Sequence, residues 1–392
     1  MAVSHPISTR VVLEAADLDY LVTALAERGY TVLGPTVRDA VIVWSEIEGV
    51  ADLPAGVGDA QEGGVYRLHP RDDDALFGYA VGPTSPKKFL YPPRTVLWEA
   101  DRTGHGTYEI RGQGEDPPWY AFLGVRPCEL AAIGVQDRVF LEATHPDPTY
   151  SGRRADAFIA VVNCGDPSGT CFCASMGTGP RARRGYDLAL TELIADPAPG
   201  LHAFLVEVGS PTGAEVLVDV PTRRAEPEDE AAAERVTERA AGRMGRTMDT
   251  ADLPGLLRTN PESSRWADVG NRCLTCGNCT ASCPTCFCST LEDVADITGD
   301  TVSRHRTWDS CFTLDFSYIH GGVVRPRGRA RYRQWLTHKL DTWVDQFGTS
   351  GCVGCGRCIT WCPVGIDLTA EVAAIRQIAA AQPDGEQRGG RS

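Results

Sequence analysis

Two stretches of the chain repeat one spacing: CLTCGNCTASCP at 273–284 and CVGCGRCITWCP at 352–363, each reading C-x2-C-x2-C-x3-C-P. Thiolates at this spacing hold three corners of a 4Fe-4S cubane within one tight loop, and the fourth thiolate reaches across to the other cluster of a pair. The backbone must curl close to inorganic sulfide, which calls for small residues, and Gly277, Gly354 and Gly356 stand there. Pro284 and Pro363 redirect the chain after the crossing ligand. The crossing rule assigns Cys273, Cys276, Cys279 and Cys362 to one cluster, and Cys352, Cys355, Cys358 and Cys283 to the second. Structural zinc, which also favours paired C-x2-C elements, is the rival. Two complete runs in one chain, both ending in Cys-Pro, favour iron and sulfide and an electron path.

The rest of the composition fits that chemistry. A net charge of -14 argues against nucleic-acid binding. The start lacks a basic stretch followed by an apolar one, and no run nears the roughly 18 apolar residues of a membrane helix. The expectation is a soluble, cytoplasmic protein without membrane insertion. In that compartment 15 cysteines are reduced, so metal ligation explains them better than disulfides. The 392 residues predict two or three domains. The reading is an α+β architecture: an α/β-like region over 1–225, a helical linker over 226–261 and a mostly helical ferredoxin-like dicluster domain with an insertion over 262–382. A disordered tail follows at 383–392.

Along the first region, apolar patterning predicts strands at 10–13, 30–33 and 40–44 and a helix over 16–28. A hairpin is expected over 201–220 around the turn at 211–213, and an exposed bridging helix over 226–244. Lys87 and Lys88 lie in a Pro-rich stretch that reads as a solvated loop, with contact to a phosphate or acidic partner as the alternative. Apolar strands at 120–125 and 157–163 each run into a cysteine-bearing segment, Cys128 after the first and Cys164, Cys171 and Cys173 after the second. Strand ends at one edge of a sheet are where α/β folds place ligands. The four cysteines make a complete ligand set for a third 4Fe-4S cluster; small buried thiols filling a core are the main rival and zinc a weaker one.

Residues 284–351 separate the ferredoxin runs and hold Cys286, Cys288 and Cys311. These three either bind metal with a non-cysteine partner, tune the neighbouring clusters, or pack as thiols, and no cluster is assigned to them. The basic run at 325–333 reads as a docking surface or as compensation for cluster charge. His305, His320 and His338 read as structural or surface groups.

Taken together, GVRPCELAAI at 124–133, the Cys164 to Pro180 segment, CPTCFC at 283–288, RTWDSC at 306–311 and the second ferredoxin run through Asp367 resemble the beta subunit of cytoplasmic nickel-iron hydrogenases, the sulfhydrogenases. The A subunit of anaerobic sulfite reductases is similar as well. The resemblance covers about 120–370 and implies an electron-transfer subunit in a complex with large and small hydrogenase subunits and a flavin subunit that handles NAD(P). It implies a non-catalytic chain: neither paired nickel-ligating C-x2-C motifs nor a dinucleotide fingerprint is present, so flavin and nickel are expected on partners. The alternatives are the corresponding sulfite reductase subunit and an iron-sulfur sensing or scaffold protein.

Overall fold

The computed structural model describes residues 6–112 and 117–381; the tail expected at 383–392 lies outside them. The chain opens with β1 (Arg10–Glu14), β2 (Thr31–Arg38) and β3 (Val41–Glu46), with the helix Leu18–Glu27 between the first two. Leu18, Leu21, Val22 and Leu25 recur on one face of that helix and are buried against the sheet. A hairpin of β4 (Val57–Glu62) and β5 (Val65–Pro70) follows, then the pair β6 (Arg94–Gly104) and β7 (Thr107–Gly112). Next come β8 (Tyr120–Val125), β9 (Phe158–Val162), β10 (Leu188–Ile194), β11 (His202–Val208) and the short β12 (Arg223–Arg224).

Among the described residues, eight of these strands form one sheet in the order β12-β1-β11-β10-β9-β8-β2-β3. Its centre, β2-β8-β9-β10, is parallel, and the flanks are antiparallel. The central strands YAFLGV and FIAVV are apolar at nearly every position because both faces are covered. Ala121, Leu123, Ala160 and Val162 face one core, while Phe122, Val125, Ile159 and Val161 face the other, packed on Leu130, Ile133 and Phe140 of the helix Pro127–Phe140. Both β8 and β9 therefore end at the same edge of the sheet, and the cysteine segments leave from there.

The segment between the ferredoxin runs contributes β13 (Ser289–Ala295) and β14 (Thr301–Trp308). They join β6 and β7 in a second antiparallel sheet, β13-β14-β6-β7, so residues 94–112 pair with a part of the chain about 200 positions away. The helices Leu253–Thr259, Arg265–Arg272, Gly328–Thr337 and Leu368–Ala381 close around an aromatic and aliphatic core that includes Trp266, Phe312, Tyr332, Trp335 and Ile375.

Three expectations change. Residues 201–220 are not a hairpin: β11 pairs with β10 and β1, and Pro211–Leu217 is a helix. Pro211 occupies its first turn and Ser210 caps it, accepting from the Gly213 amide at 3.0 Å, so a proline read as a turn starts a helix. The helix Pro227–Gly242 lies on the sheet, with Ala232, Ala233 and Val236 buried against Val12, Leu193 and Leu205. Lys87 is buried, in a helical turn at Lys87–Leu90, and is no solvated loop residue. No helix among the described residues is long and apolar enough to cross a membrane.

Candidate iron-sulfur centres

The two ferredoxin loops share a backbone signature. Thr275 and Gly354 each precede the second cysteine of a run, Gly277 and Gly356 each follow it, and all four have left-handed φ, at +53°, +67°, +81° and +76° respectively. These turns fold each loop back so that its first three thiols point inward. Short helices, Asn278–Ala281 and Arg357–Thr360, then carry the third cysteine of each run.

The structure brings Cys273, Cys276, Cys279 and Cys362 together. Burial pushes the Cys279 thiol well up, and Cys273, Cys362 and Cys276 push it further. Burial likewise raises Cys273, whose thiol neighbours are Cys362 and Cys276. Amides already point at sulfur here, from Thr275 to Cys273 at 3.4 Å and from Ile366 to Cys362 at 3.3 Å. Phe312, Tyr332, Trp335 and Ile366 line one side of the group with apolar surface, and Cys276 faces out on the other. Arg331, in the basic run, is the cation that opposes the rise at Cys273 and donates to the Phe312 carbonyl at 2.6 Å.

Cys352, Cys355, Cys358 and Cys283 form the second group. Burial raises Cys358 well above its ordinary value, with Cys352, Cys355 and Cys283 as its nearest thiols. Burial pushes Cys352 up to about 12, against the pull of Lys339. Cys283 goes the other way and is held well below, because the Cys286 thiol donates to it and Lys339, Thr285 and Lys87 stand around it. The Lys339 ammonium is buried and donates to Cys283 Sγ at 3.2 Å, Thr285 Oγ1 at 2.9 Å and the Gly351 carbonyl at 3.2 Å. Lys87 donates to the carbonyls of Cys283 at 2.8 Å and Cys286 at 3.1 Å, and lies 3.9 Å over the Trp308 ring. The two groups adjoin, since Cys279 faces Cys283 and Cys358.

At the edge of the main sheet, Cys128 lies in the first turn of the helix after β8 and Cys164 just beyond β9. Cys171 and Cys173 come from the following loop, and all four are less than a tenth exposed. Cys173 faces Cys171 and Cys164, and Cys128 faces Cys173, each thiol raised first by burial. Cys355 of the second ferredoxin loop faces Cys128, Cys171 and Cys173. The contact between the two loops is tight: the Phe172 amide donates to the Gly354 carbonyl at 2.9 Å and Thr178 Oγ1 to the Val353 carbonyl at 2.6 Å. A Cβ on Gly356 would lie 2.5 Å from the Thr170 carbonyl oxygen, and one on Gly179 would lie 2.8 Å from Cys173 Sγ.

Two buried arginines flank this third group. Arg126 donates to the carbonyls of Phe77 at 2.7 Å and Tyr79 at 2.6 Å, leaving its Nε and Nη1 buried without partners while Cys164 is the leading charge that holds it protonated. Arg357 binds Glu129 at 2.5 Å and the Gly82 carbonyl at 2.7 Å, donates to the Cys355 side chain and lies beside Cys128. Unspent cationic donors inside a thiol-lined site fit an anionic, thiolate-ligated centre. No three His, Cys, Asp or Glu among the described residues are placed to hold a single metal ion; a cubane distributes its thiolates over the corners of a larger body. Loading such a site must displace protons from thiols that burial keeps protonated.

Sequence reasoning missed Lys339, Arg126 and Arg357 and read Lys87 as a solvated loop residue, because these side chains carry no spacing signal and come to the thiols only through the fold. His305 pairs with Ser303 at 2.8 Å, and His338 with Gln346 at 3.2 Å against Trp343.

Comparison with known proteins agrees with this geometry. The family described as a 4Fe-4S dicluster domain matches residues 272–366. Over 326 residues the chain is 30% identical to sulfhydrogenase 2 subunit beta of Pyrococcus furiosus, an alignment spanning 82% of this chain and 92% of that one. The chain belongs to the sulfhydrogenase beta-subunit family. The alignment is too long for the dicluster domain alone, so the kinship extends into the sheet region that carries Cys128 and Cys164. As a member of this family with a dicluster domain, the chain is an iron-sulfur electron-transfer subunit.

Proposed function

We propose that the chain is the electron-transfer subunit of a cytoplasmic, NAD(P)-linked nickel-iron hydrogenase complex. It relays electrons between the flavin subunit or the hydrogenase large and small subunits and a further redox partner. Three 4Fe-4S clusters serve it: one on Cys273, Cys276, Cys279 and Cys362, one on Cys352, Cys355, Cys358 and Cys283, and one on Cys128, Cys164, Cys171 and Cys173. Flavin and nickel belong to the partners. The observation that carries the reading is continuity: Cys279 adjoins the second group, and Cys355 of that group adjoins the third.

Each cluster, when bound, supplies a site that gains or loses one electron. The chain's own residues set how readily. Lys339 and the Cys286 thiol direct hydrogen bonds at Cys283, and positive charge beside a ligand sulfur favours the reduced centre. Arg357, between Cys355 and Cys128, acts on the second and third groups at once. Trp335, Tyr332 and Phe312 cover one side of the first with apolar surface, while Cys276 stays exposed.

The test is Cys283→Ala in the intact complex. The expected outcome is loss of the signal of the centre held by 352–358 with the 273–279 centre retained; loss of only the 273–279 centre would sink the crossed assignment. Metal analysis of the co-purifying subunits separates the two enzyme families: nickel supports the hydrogenase reading, and sirohaem would transfer the chain to a sulfite reductase.

A further inference from the structure

The three cysteines outside the ligand groups are not equivalent. Cys286 is spent on Cys283, to which it donates its thiol hydrogen. Cys288 and Cys311 are turned towards each other. Ser289 opposes Trp308 at the root of the β13–β14 ladder, and the Asp309 amide donates to the Cys288 carbonyl at 2.9 Å, extending the ladder by one step. The chain then turns at Asp309 and Ser310, where the Ser310 amide binds Asp309 Oδ1 at 2.6 Å. That turn brings both the amide and the thiol of Cys311 onto Cys288 Sγ as donors. Two thiols fixed side by side by paired backbone are placed to bond to each other.

Their surroundings separate them from packed core thiols. Both are only half-buried, so water and protons reach them. The Cys311 thiol hydrogen bond, helped by its amide, lowers Cys288 to about 7, while Cys311 as the donor is pushed up. A thiolate beside a thiol is the starting state for disulfide chemistry. On one side Cys311 faces Cys279, in the first ligand group. On the other, Cys288 adjoins Cys286, which is bonded to Cys283 in the second. The pair thus lies between one ligand of each ferredoxin centre.

We propose that Cys288 and Cys311 form a reversible dithiol–disulfide couple that exchanges electrons with the two flanking 4Fe-4S centres. The inference rests on the cluster assignment made above. Oxidation joins Cys288 Sγ to Cys311 Sγ and breaks the Cys311 S–H bond. The proton passes to water, and the two electrons of this couple leave singly, one to each oxidised flanking centre. Reduction reverses each step. A chain of one-electron centres thereby acquires a two-electron store.

The experiment uses the anaerobically purified complex, with iron and sulfide counted on the same sample. One portion is poised oxidised and one reduced with dithionite; free thiols are alkylated, the clusters removed and tryptic peptides mapped. Cys288 and Cys311 fall in different peptides, separated by cleavage after Arg304 and Arg306. The oxidised sample should contain a cross-link between them, and the reduced sample should not. Cys286→Ser should keep the cross-link. Cys311→Ser should lose it with iron and sulfide unchanged, and should accept fewer electrons in a reductive titration by the two that one disulfide takes up. A complex that keeps its iron yet leaves Cys288 and Cys311 as free thiols under oxidation overturns the couple and spares the cluster assignment. Iron falling in Cys311→Ser also overturns it, by making these residues ligands. A complex with no iron or sulfide removes the cluster assignment itself and the electron route with it.

Discussion

Lys339 is a charge in a place that burial alone would neutralise. Burial opposes its protonation, yet Cys283, Cys286 and Cys352 hold it charged and raise its pKa. The ammonium is 3.2 Å from Cys283 Sγ and is shared with Thr285 and Gly351. If Cys283 holds a cluster as proposed, a full charge this close to it stabilises the extra electron of the reduced state. Removing it in Lys339→Met should lower the potential of the Cys283-ligated centre by on the order of 100 mV, taking an effective dielectric constant of about 20. A redox titration followed by electron paramagnetic resonance reads this, and an unchanged potential would detach Lys339 from that centre. Lys87 is a different case: burial lowers it to about 8, and its partners are carbonyls. None of this was legible in the sequence. The cysteine spacing is local and survives as a string, whereas a lone Lys in QWLTHKLDTW becomes a neighbour of Cys283 only when the loop bearing Gly351 and the loop bearing Cys283 converge on it.

At the scale of elements, the loops carry the most demanding geometry. Gly356 has φ +76°, and a Cβ there would press on the backbone of Thr170 at 2.5 Å. Gly200 has φ +79° with nothing within 4 Å. Gly200→Ala should therefore cost only the left-handed strain of about 1–2 kcal/mol. Gly356→Ala should cost more and also reduce bound iron, because it parts the ferredoxin loop from the Cys171 loop. Equal melting temperatures and equal iron contents for the two variants would contradict the role given to that contact. In the sheet, Glu192 on β10 ties down the segment after β5 by accepting from the Leu76 and Phe77 amides at 2.6 and 3.0 Å, and it pairs with His202 on β11 at 2.9 Å. The Glu192 hydrogen bond raises the His202 pKa against its burial. The folded value lies above the unfolded one of about 6.5, so this stabilisation is complete below that pH and fades as pH rises through the folded value. The melting-point difference between the native protein and His202→Gln should be largest below about pH 6 and shrink in alkali. Strands and the ferredoxin turns were readable because their periodicity and glycines are local. The helix Pro211–Leu217 was not, since a Ser-Pro start serves a turn as well as a helix cap. Nor was the pairing of β6 with β14, whose partners lie about 200 residues apart.

For the whole molecule, the architecture explains why one chain joins a sheet to a dicluster domain. The parallel strands β8 and β9 deliver Cys128 and Cys164 to one edge, and the second ferredoxin loop packs on that edge through Phe172–Gly354 and Thr178–Val353 contacts. Arg357 spans the junction, bonded to Glu129 and Gly82 and beside Cys355. On the proposed assignment, the fifteen cysteines sort into three adjoining groups of four, one thiol donating to Cys283 and one facing pair. Cysteines merely filling a core would not require unpartnered arginine donors beside them. The measurement that tests this most directly is iron and acid-labile sulfide per polypeptide in the anaerobically purified chain separated from its partners. Three cubanes predict about 12 of each. About 8 of each would mean that Cys128, Cys164, Cys171 and Cys173 hold no cluster, and zinc in place of iron would contradict the account altogether.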